Sequence, residues 1–460
     1  MSPVSPDPVE TDVAPRHAFP RPSEIAPPPK RERLSWTGPV GWALVALAAV
    51  ATATAAVLGR VSIFGALVVL VVLFGSGPVL TRLSANRHGV PIDHVLRMGL
   101  GFKFLLVLPR YELRQDSVDY HIVGRVLADH FRSFDFLVDP GRAIPGTGSV
   151  RYLTGLIQLV TFGDEFATFA IFAVFGFAGL TLYVRAFVHA LPSVDPARYV
   201  LALMLWPSLA YWPSSTGKEA VVTLGLGMTA YGLARVLNGR YVSLVPAICG
   251  VVIAGLVRPH VALIAITATV GALVLHSRKD ATGGIGARLL LVGALMGLGS
   301  ILSDGVERLF QVEDLNVSSV NAALDLANYR SAQGGSSFVA ARIESIADVP
   351  WGVVTVLLRP FPHEATSVPG LVAAAEGMIL AVLLFGAIPR LAAGLRHLRQ
   401  EAYLGYAVTF IGVFVFLFSA LGNFGILTRQ RTMMTPLLLV LIALPTARER
   451  VRARRLERRT

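Results

Sequence analysis

The sequence predicts an all-α protein, a polytopic transmembrane helical bundle of about 10–12 spans with interfacial helices in two external loops. Two observations predict this class: 54% of the 460 residues are hydrophobic and only 15% are charged, whereas soluble domains carry about 25% charged residues. A third is that apolar residues recur in runs close to the length of a membrane-crossing helix. The runs lie at 39–59, 62–81, 92–109, 164–186, 198–213, 218–236, 241–257, 260–276, 288–303, 370–389, 402–421 and 432–446.

The charges between these runs predict the orientation of the chain. Cytoplasmic loops of membrane proteins carry an excess of Lys and Arg, and alternate connections or their flanks hold twelve basic residues. These are Arg82, Arg87, Arg185, Arg198, Arg235, Arg240, Arg278, Lys279, Arg288, Arg390, Arg396 and Arg399. Only four of the 41 basic residues are lysine, a usage typical of high-GC bacterial genomes. We therefore expect a multi-pass protein of the bacterial cytoplasmic membrane with both termini cytoplasmic.

The domain organisation follows from the same pattern. We expect a disordered cytoplasmic tail at 1–38, a membrane domain at 39–446 with external loops 110–163 and 304–369, and a basic cytoplasmic tail at 447–460. Each loop contains an apolar stretch too short to span, Tyr152–Phe162 and Trp351–Leu358, which suits an interfacial helix. The formal net charge of +12 is accounted for by short loops and tails, so we expect membrane lipids and no nucleic acid as partners.

An acidic motif, Asp116-Ser-Val-Asp119-Tyr-His121, begins the first external loop. Carboxylates three residues apart share one face of a helix. One of them could act as a general base toward a sugar hydroxyl, or the pair could bind a divalent cation, Mg or Mn, through oxygen ligands. His121 is a candidate for substrate binding beside them. The alternative, a solvated loop with helix-capping Asp residues, fits the residue types equally well.

Basic residues at the outward ends of the runs form four clusters. Their residues are Lys218 with Glu219, Arg258 with His260, Arg359 with His363 and Glu364, and Arg429 with Arg431. Guanidinium and ammonium groups bind phosphate well, so we expect a cradle for phosphate or pyrophosphate. Snorkelling toward lipid phosphate would account for one or two of them. Glu376 lies inside an apolar run and requires a partner, for which an outward arginine such as Arg359 is a candidate.

Four motifs resemble the membrane-embedded glycosyltransferases of the GT-C superfamily, over a layout of roughly residues 95–440. They are the acidic pair followed by Tyr-His, the stretch GTGSVRYLTGLIQLVTFG, the final run entered by Arg429-Gln-Arg431, and WPSLAYWPSSTGKEA. The last is also similar to a motif of bacterial polysaccharide-polymerase-like membrane proteins. The chain departs from the family in having two additional runs before the acidic loop and in its DxxDYH spacing.

The resemblance implies an enzyme that uses a polyprenyl-phosphate-linked sugar donor on the outer membrane face. The acceptor would be a glycan, lipid or protein of the cell envelope. By the same resemblance, Asp116 is the catalytic residue and Asp119 its assistant or a metal ligand. Lys218, Arg258, Arg429 and Arg431 would contact the lipid-linked phosphate.

Three functions are consistent with these residues. The first is inverting glycosyl transfer with an Asp base. The second is an O-antigen-type polysaccharide polymerase or ligase that uses pyrophosphate-linked oligosaccharides, with arginines dominant and His363 as the base. The third is a lipid-linked-sugar transporter or flippase, whose polar groups should lie near the bilayer midplane. Because the polar set here lies at one face, transport is the least favoured.

Overall fold

The computed structural model describes residues 34–275 and 317–446, except 87, 115, 333–334, 397 and 399, together with Gly293, Gly297 and Glu449. The predicted tails beyond these limits, most of the run 288–303 and the basic residues at 87, 278, 279, 288 and 399 lie outside the described residues. Within the described part, every regular element is helical, and one isolated antiparallel bridge joins Ser337 to Asn423. The predicted all-α class is confirmed there.

The described part of the chain contains the following α-helices, in chain order. They are α1 (Thr37–Val57), α2 (Ile63–Gly75), α3 (Gly77–Leu83), α4 (Ile92–Glu112), α5 (Asp116–Arg132), α6 (Thr147–Val160), α7 (Glu165–Ala190), α8 (Ala197–Leu205), α9 (Pro207–Tyr211), α10 (Lys218–Val236), α11 (Leu244–Val257), α12 (Pro259–Leu275), α13 (Val317–Ala332), α14 (Val349–Leu358), α15 (Val368–Arg396), α16 (Ala402–Phe418), α17 (Phe424–Arg431) and α18 (Thr435–Ala443). The first predicted loop thus consists of two helices, α5 and α6, which pack against each other.

Several helices are long and apolar enough to cross a membrane. In the described part, α1, α7 and α15 each meet this criterion alone. Two further pairs meet it together, α2 with α3 and α17 with α18, although the two helices of each pair are bent by 43° and 56°. The described part thus has three to five candidate spans. Helices α11, α12, α14 and α16 are apolar but shorter. The predicted run 198–213 is divided at Pro207 and Pro213, since proline cannot continue the helical hydrogen bonds. The number of 10–12 spans therefore stays a prediction.

Helix α7 lies at the centre of the bundle and packs against α10, which packs in turn against α11. The backbones approach closely because small residues lie at the contacts, as is usual in membrane bundles. A Cβ atom at Gly227 would lie 2.3 Å from the Gly179 carbonyl oxygen, and one at Gly250 would lie 2.4 Å from that of Gly225. These contacts fix the position of α10, the helix that begins at the candidate site.

We predict that Gly227→Ala destabilises the bundle by about 1–3 kcal/mol, because the added methyl group overlaps the α7 backbone. The measurement is an SDS titration of the unfolding free energy in mixed micelles. Gly412→Ala in α16 is the matched control, since a Cβ there meets nothing within 4 Å. Alanine favours a helix by up to about 1 kcal/mol over glycine, so this control should be neutral or stabilising. Equal effects of both changes would contradict the close α7–α10 contact.

Candidate functional site

The centre of the candidate site is one buried carboxylate that binds two guanidinium groups. Glu219 lies in the first turn of α10 and is only 3% exposed. Arg429, from α17, donates from Nε to Oε1 at 2.5 Å and from Nη2 to Oε2 at 2.8 Å. Arg258, which separates α11 from α12, donates from Nη2 to Oε1. Three elements that are distant in sequence therefore meet at Glu219. We call Glu219, Arg258 and Arg429 the Glu219 cluster.

Other predicted residues surround the Glu219 cluster. Arg258 also donates to the side-chain carbonyl of Gln430, and the positive charges of Arg258 and Lys218 act on the His260 ring. The guanidinium of Arg429 lies 5.9 Å from the centre of the Trp212 ring. The structure thus brings together three of the four outward clusters predicted from the sequence. Glu219 is the one carboxylate among the described residues of these three clusters, and the cations of the clusters outnumber it.

The start of α5 contacts this basic region. Ser117 is buried, and its hydroxyl donates to the Thr216 carbonyl at 3.0 Å, two residues before Lys218. Tyr120 is also buried and interacts electrostatically with Arg258. Asp116 is the first residue of α5, and its side chain lies outside what the structure describes. The acidic motif therefore begins next to the turn that leads into Lys218 and Glu219.

Asp119 is engaged by a partner that the sequence did not reveal. Arg151 of α6 donates from Nη2 to both of its carboxylate oxygens at 2.9 Å, and from Nε to Oδ2 at 3.2 Å. A further N–H of Arg151 donates to the Pro140 carbonyl at 2.9 Å. The Asp119 side chain is 54% exposed, whereas that of Arg151 is 10% exposed. This ion pair fixes α5 to α6, so Asp119 acts first as a structural anchor.

His121 faces α6 and the start of α7. The Gln158 side-chain amide lies 2.9 Å from His121 Nδ1 and donates to its backbone carbonyl at 3.1 Å. Burial is the main cause that lowers the pKa of the His121 imidazole, and the charges that act on it include Glu165, Asp164 and Arg125. These neighbours differ from those of the Glu219 cluster, so the described contacts give His121 no link to the basic residues.

The fourth predicted cluster, around Arg359, is linked to the others through α17. Arg359 donates from Nε to Glu364 at 3.0 Å and lies over the rings of Phe338 and Phe424, at 4.3 and 5.1 Å. Arg431 donates to the Arg359 carbonyl oxygen. Burial would raise the pKa of Glu364, but hydrogen bonds, chiefly from Arg359, outweigh it and lower the pKa. His363 is exposed and stacks on Phe361.

Two buried ionisable residues, Glu376 and Lys103, have hydrogen-bond partners that the sequence did not reveal. Glu376 accepts hydrogen bonds from Trp206 Nε1 at 2.5 Å and from the Ser208 hydroxyl at 2.6 Å. Of the outward arginines suggested as its partner, Arg431 interacts with it electrostatically, whereas Arg359 pairs with Glu364. Lys103 of α4 is 1% exposed and donates to the Ala210 carbonyl at 3.3 Å, below the Trp212-Pro-Ser-Ser turn. In the sequence, Lys103 is only a charged residue within the predicted run 92–109. No pattern around it indicates that its side chain is buried in the core.

The predicted divalent cation finds no ligand set in the part of the chain that the structure describes. No group of three or more His, Cys, Asp or Glu residues there is arranged to hold a metal ion. Because Arg151 donates to both oxygens of Asp119, a cation bound there would share the carboxylate with a guanidinium group. Mg or Mn at Asp116 and Asp119 therefore stays a prediction, and the steps proposed below do not involve it.

Comparison with known proteins gives no relative: no family model, no curated protein and no solved structure matches the chain. A function must accordingly be argued from the chemistry of the described residues and from the resemblance of the short motifs. The class that the fold defines is a helical protein with several apolar helices long enough to span a membrane.

We predict that Glu219→Gln lowers the free energy of unfolding by about 3–5 kcal/mol, because it leaves Arg258 and Arg429 buried without a counter-ion. SDS titration in mixed micelles measures the change. The control is Glu112→Gln, which breaks an exposed pair with Arg60 and should cause no measurable change. If the two substitutions had the same small effect, Glu219 would not hold the site together.

Proposed function

We propose that the protein is a membrane glycosyltransferase of the GT-C type. It transfers a sugar from a polyprenyl-phosphate-linked donor to a glycan, lipid or protein acceptor of the cell envelope. The observation that carries this proposal is the Glu219 cluster, which holds Arg258 and Arg429 close together beside the start of α5. Two guanidinium groups repel each other, and the shared carboxylate offsets that repulsion.

The arrangement suits a reaction in which negative charge develops on a phosphate. In the proposed step, the acceptor hydroxyl loses its proton to Asp116, and its oxygen attacks the anomeric carbon of the sugar. The bond from that carbon to the phosphate oxygen breaks, and its electron pair leaves with the polyprenyl phosphate, so the configuration inverts. Cations that are already in place stabilise this leaving group without reorganisation. Lys218 and Arg429 are the proposed contacts to the phosphate.

The roles of the two aspartates differ in this proposal. Asp116 is the general base because it is the first residue of α5, whose next residue contacts the turn before Lys218. Asp119 keeps α5 in position through its bidentate pair with Arg151. A base must come within hydrogen-bond reach of its proton, so a shift of α5 would slow the reaction even though Asp119 takes no proton.

The same proposal assigns the molecule to the bacterial cytoplasmic membrane, with both termini cytoplasmic and the Glu219 cluster on the external side. The apolar helices α1, α7 and α15 support membrane insertion. The cluster lies where α10 and α12 begin and where α17 ends. Groups at helix ends can reach a head group that a lipid carrier presents at the membrane surface, whereas transporter sites lie near the midplane.

The proposal predicts unequal effects of three Asp→Asn substitutions in α5. Asp116→Asn should reduce sugar transfer by about 10²–10⁴-fold, the contribution typical of a general base. Asp119→Asn should reduce it less, and Arg151→Gln should reproduce that partial loss. Asp129→Asn is the matched control, since its exposed pair with Arg132 lies farther along the same helix, and it should leave transfer unchanged.

The measurement is transfer of radiolabelled sugar from polyprenyl-phosphate donors by membranes that contain equal amounts of each variant. Full activity of Asp116→Asn would refute the proposed base. The polymerase or ligase alternative is tested with pyrophosphate-linked oligosaccharides. Activity with those donors alone, together with its loss in His363→Gln, would establish that function instead.

A further inference from the structure

A cavity of about 540 Å³ lies at the far end of α10 from the Glu219 cluster. The ends of α7 and α10, the connection between α3 and α4, and the entry to α8 enclose it. Arg235, in the last turn of α10, is one of its lining residues. The sixteen-residue separation from Glu219 corresponds to about 24 Å along a helix that rises 1.5 Å per residue. The cavity is therefore separate from the candidate active site.

The cavity is lined by positive charge without a carboxylate. Arg185, Arg235 and Arg240 contribute guanidinium groups, and His88 and His189 lie beside them. Among the lining residues of the described part there is no Asp or Glu. The nearest acidic residue in sequence is Asp195, whose carboxylate accepts the Ala197 N–H at the start of α8. Among the described lining residues, positive charge is therefore in excess.

Two of the three arginines, Arg185 and Arg235, are held in place by uncharged groups. Arg185 donates from Nη1 to the carbonyls of Leu83 and Ala85, at 3.1 and 2.7 Å. Arg235 donates from Nη1 to the Tyr231 hydroxyl at 2.7 Å, while its buried Nε has no hydrogen-bond partner. Carbonyl and hydroxyl oxygens orient a guanidinium but do not neutralise it. Positive charge near helix ends could also serve only to set the membrane orientation of the chain. That role requires neither a cavity nor arginines that are fixed around a cavity.

We propose that this cavity binds a phosphate ester. Arginine forms bidentate, charge-assisted hydrogen bonds to phosphate oxygens, and the lining supplies several of them. Cavities of about 300–1,000 Å³ accommodate organic ligands, so a bare phosphate ion would leave most of the volume empty. The phosphate could come from the head group of an anionic phospholipid or from a soluble phosphate ester. This inference is independent of the proposed glycosyltransferase activity.

The test uses the purified, delipidated full-length protein in detergent. One arm measures binding of radiolabelled glycerol 3-phosphate by equilibrium dialysis, and the other measures retention of phosphatidylglycerol against phosphatidylcholine by native mass spectrometry. Arg235→Gln should weaken binding about tenfold or more, since it removes a charged hydrogen-bond donor. Ala85→Glu should do the same without removing any structural contact, because its carboxylate would pair with Arg185. Arg396→Gln is the control, an exposed arginine outside the cavity lining.

The outcomes are distinguishable. Saturable binding of glycerol 3-phosphate that is lost in both cavity variants and kept in the control supports a soluble ligand. Selective retention of phosphatidylglycerol with the same variant pattern supports a lipid head group. Absence of binding in both arms, or binding that Ala85→Glu leaves unchanged in a protein of normal thermal stability, overturns the proposal.

Discussion

The rest of the site depends on the burial of Glu219 between two arginines. Removing a carboxylate from water costs several kcal/mol unless ion pairs and hydrogen bonds replace its hydration, and Arg258 and Arg429 supply both. Arg258 lies at the junction of α11 and α12, and Arg429 lies in the last turn of α17. The Glu219 carboxylate therefore joins the start of α10 to the α11–α12 junction and to the end of α17, which lies far away in sequence.

The two arginines are not equivalent in what they can bind. The Arg258 side chain is 7% exposed and donates to Glu219 and Gln430, whereas that of Arg429 is 23% exposed. The Arg429 guanidinium is thus the more accessible of the two, which is why the proposed function assigns Arg429 rather than Arg258 to the phosphate. In the proposed function, the charges that build the site therefore differ from those that contact the substrate. The proposal makes the same division between Asp119, which is paired with Arg151, and Asp116.

The sequence was sufficient to predict the helical class, because composition and spacing carry it, whereas the sorting of positive charge to one membrane side stays a prediction. It also predicted that the residues at 218–219, 258–260 and 429–431 meet, since all lie at the same ends of apolar runs. Partner choice could not be predicted. Asp119 pairs with Arg151 of the next helix, and Glu376 accepts from Trp206, which is far away in sequence. A single contact of either kind leaves no periodic signal in the sequence. Glu219 was grouped with the substrate ligands for the same reason, although its oxygens are occupied by arginines.

The turn before Lys218 shows how a short polar sequence can be structural. Ser214 and Lys103 both donate to the Ala210 carbonyl, and the Ser215 hydroxyl donates to that of Trp212. The Thr216 carbonyl accepts from Ser117 of α5. These hydroxyls and carbonyls are therefore used to hold the turn, which is why serines occur in a buried place, where an unpaired polar group would be costly. Because these bonds hold the turn, Lys218 and Glu219 begin α10 next to the two arginines. The hydroxyl groups of the turn are therefore structural, and the charged groups are the ones that the proposed function uses.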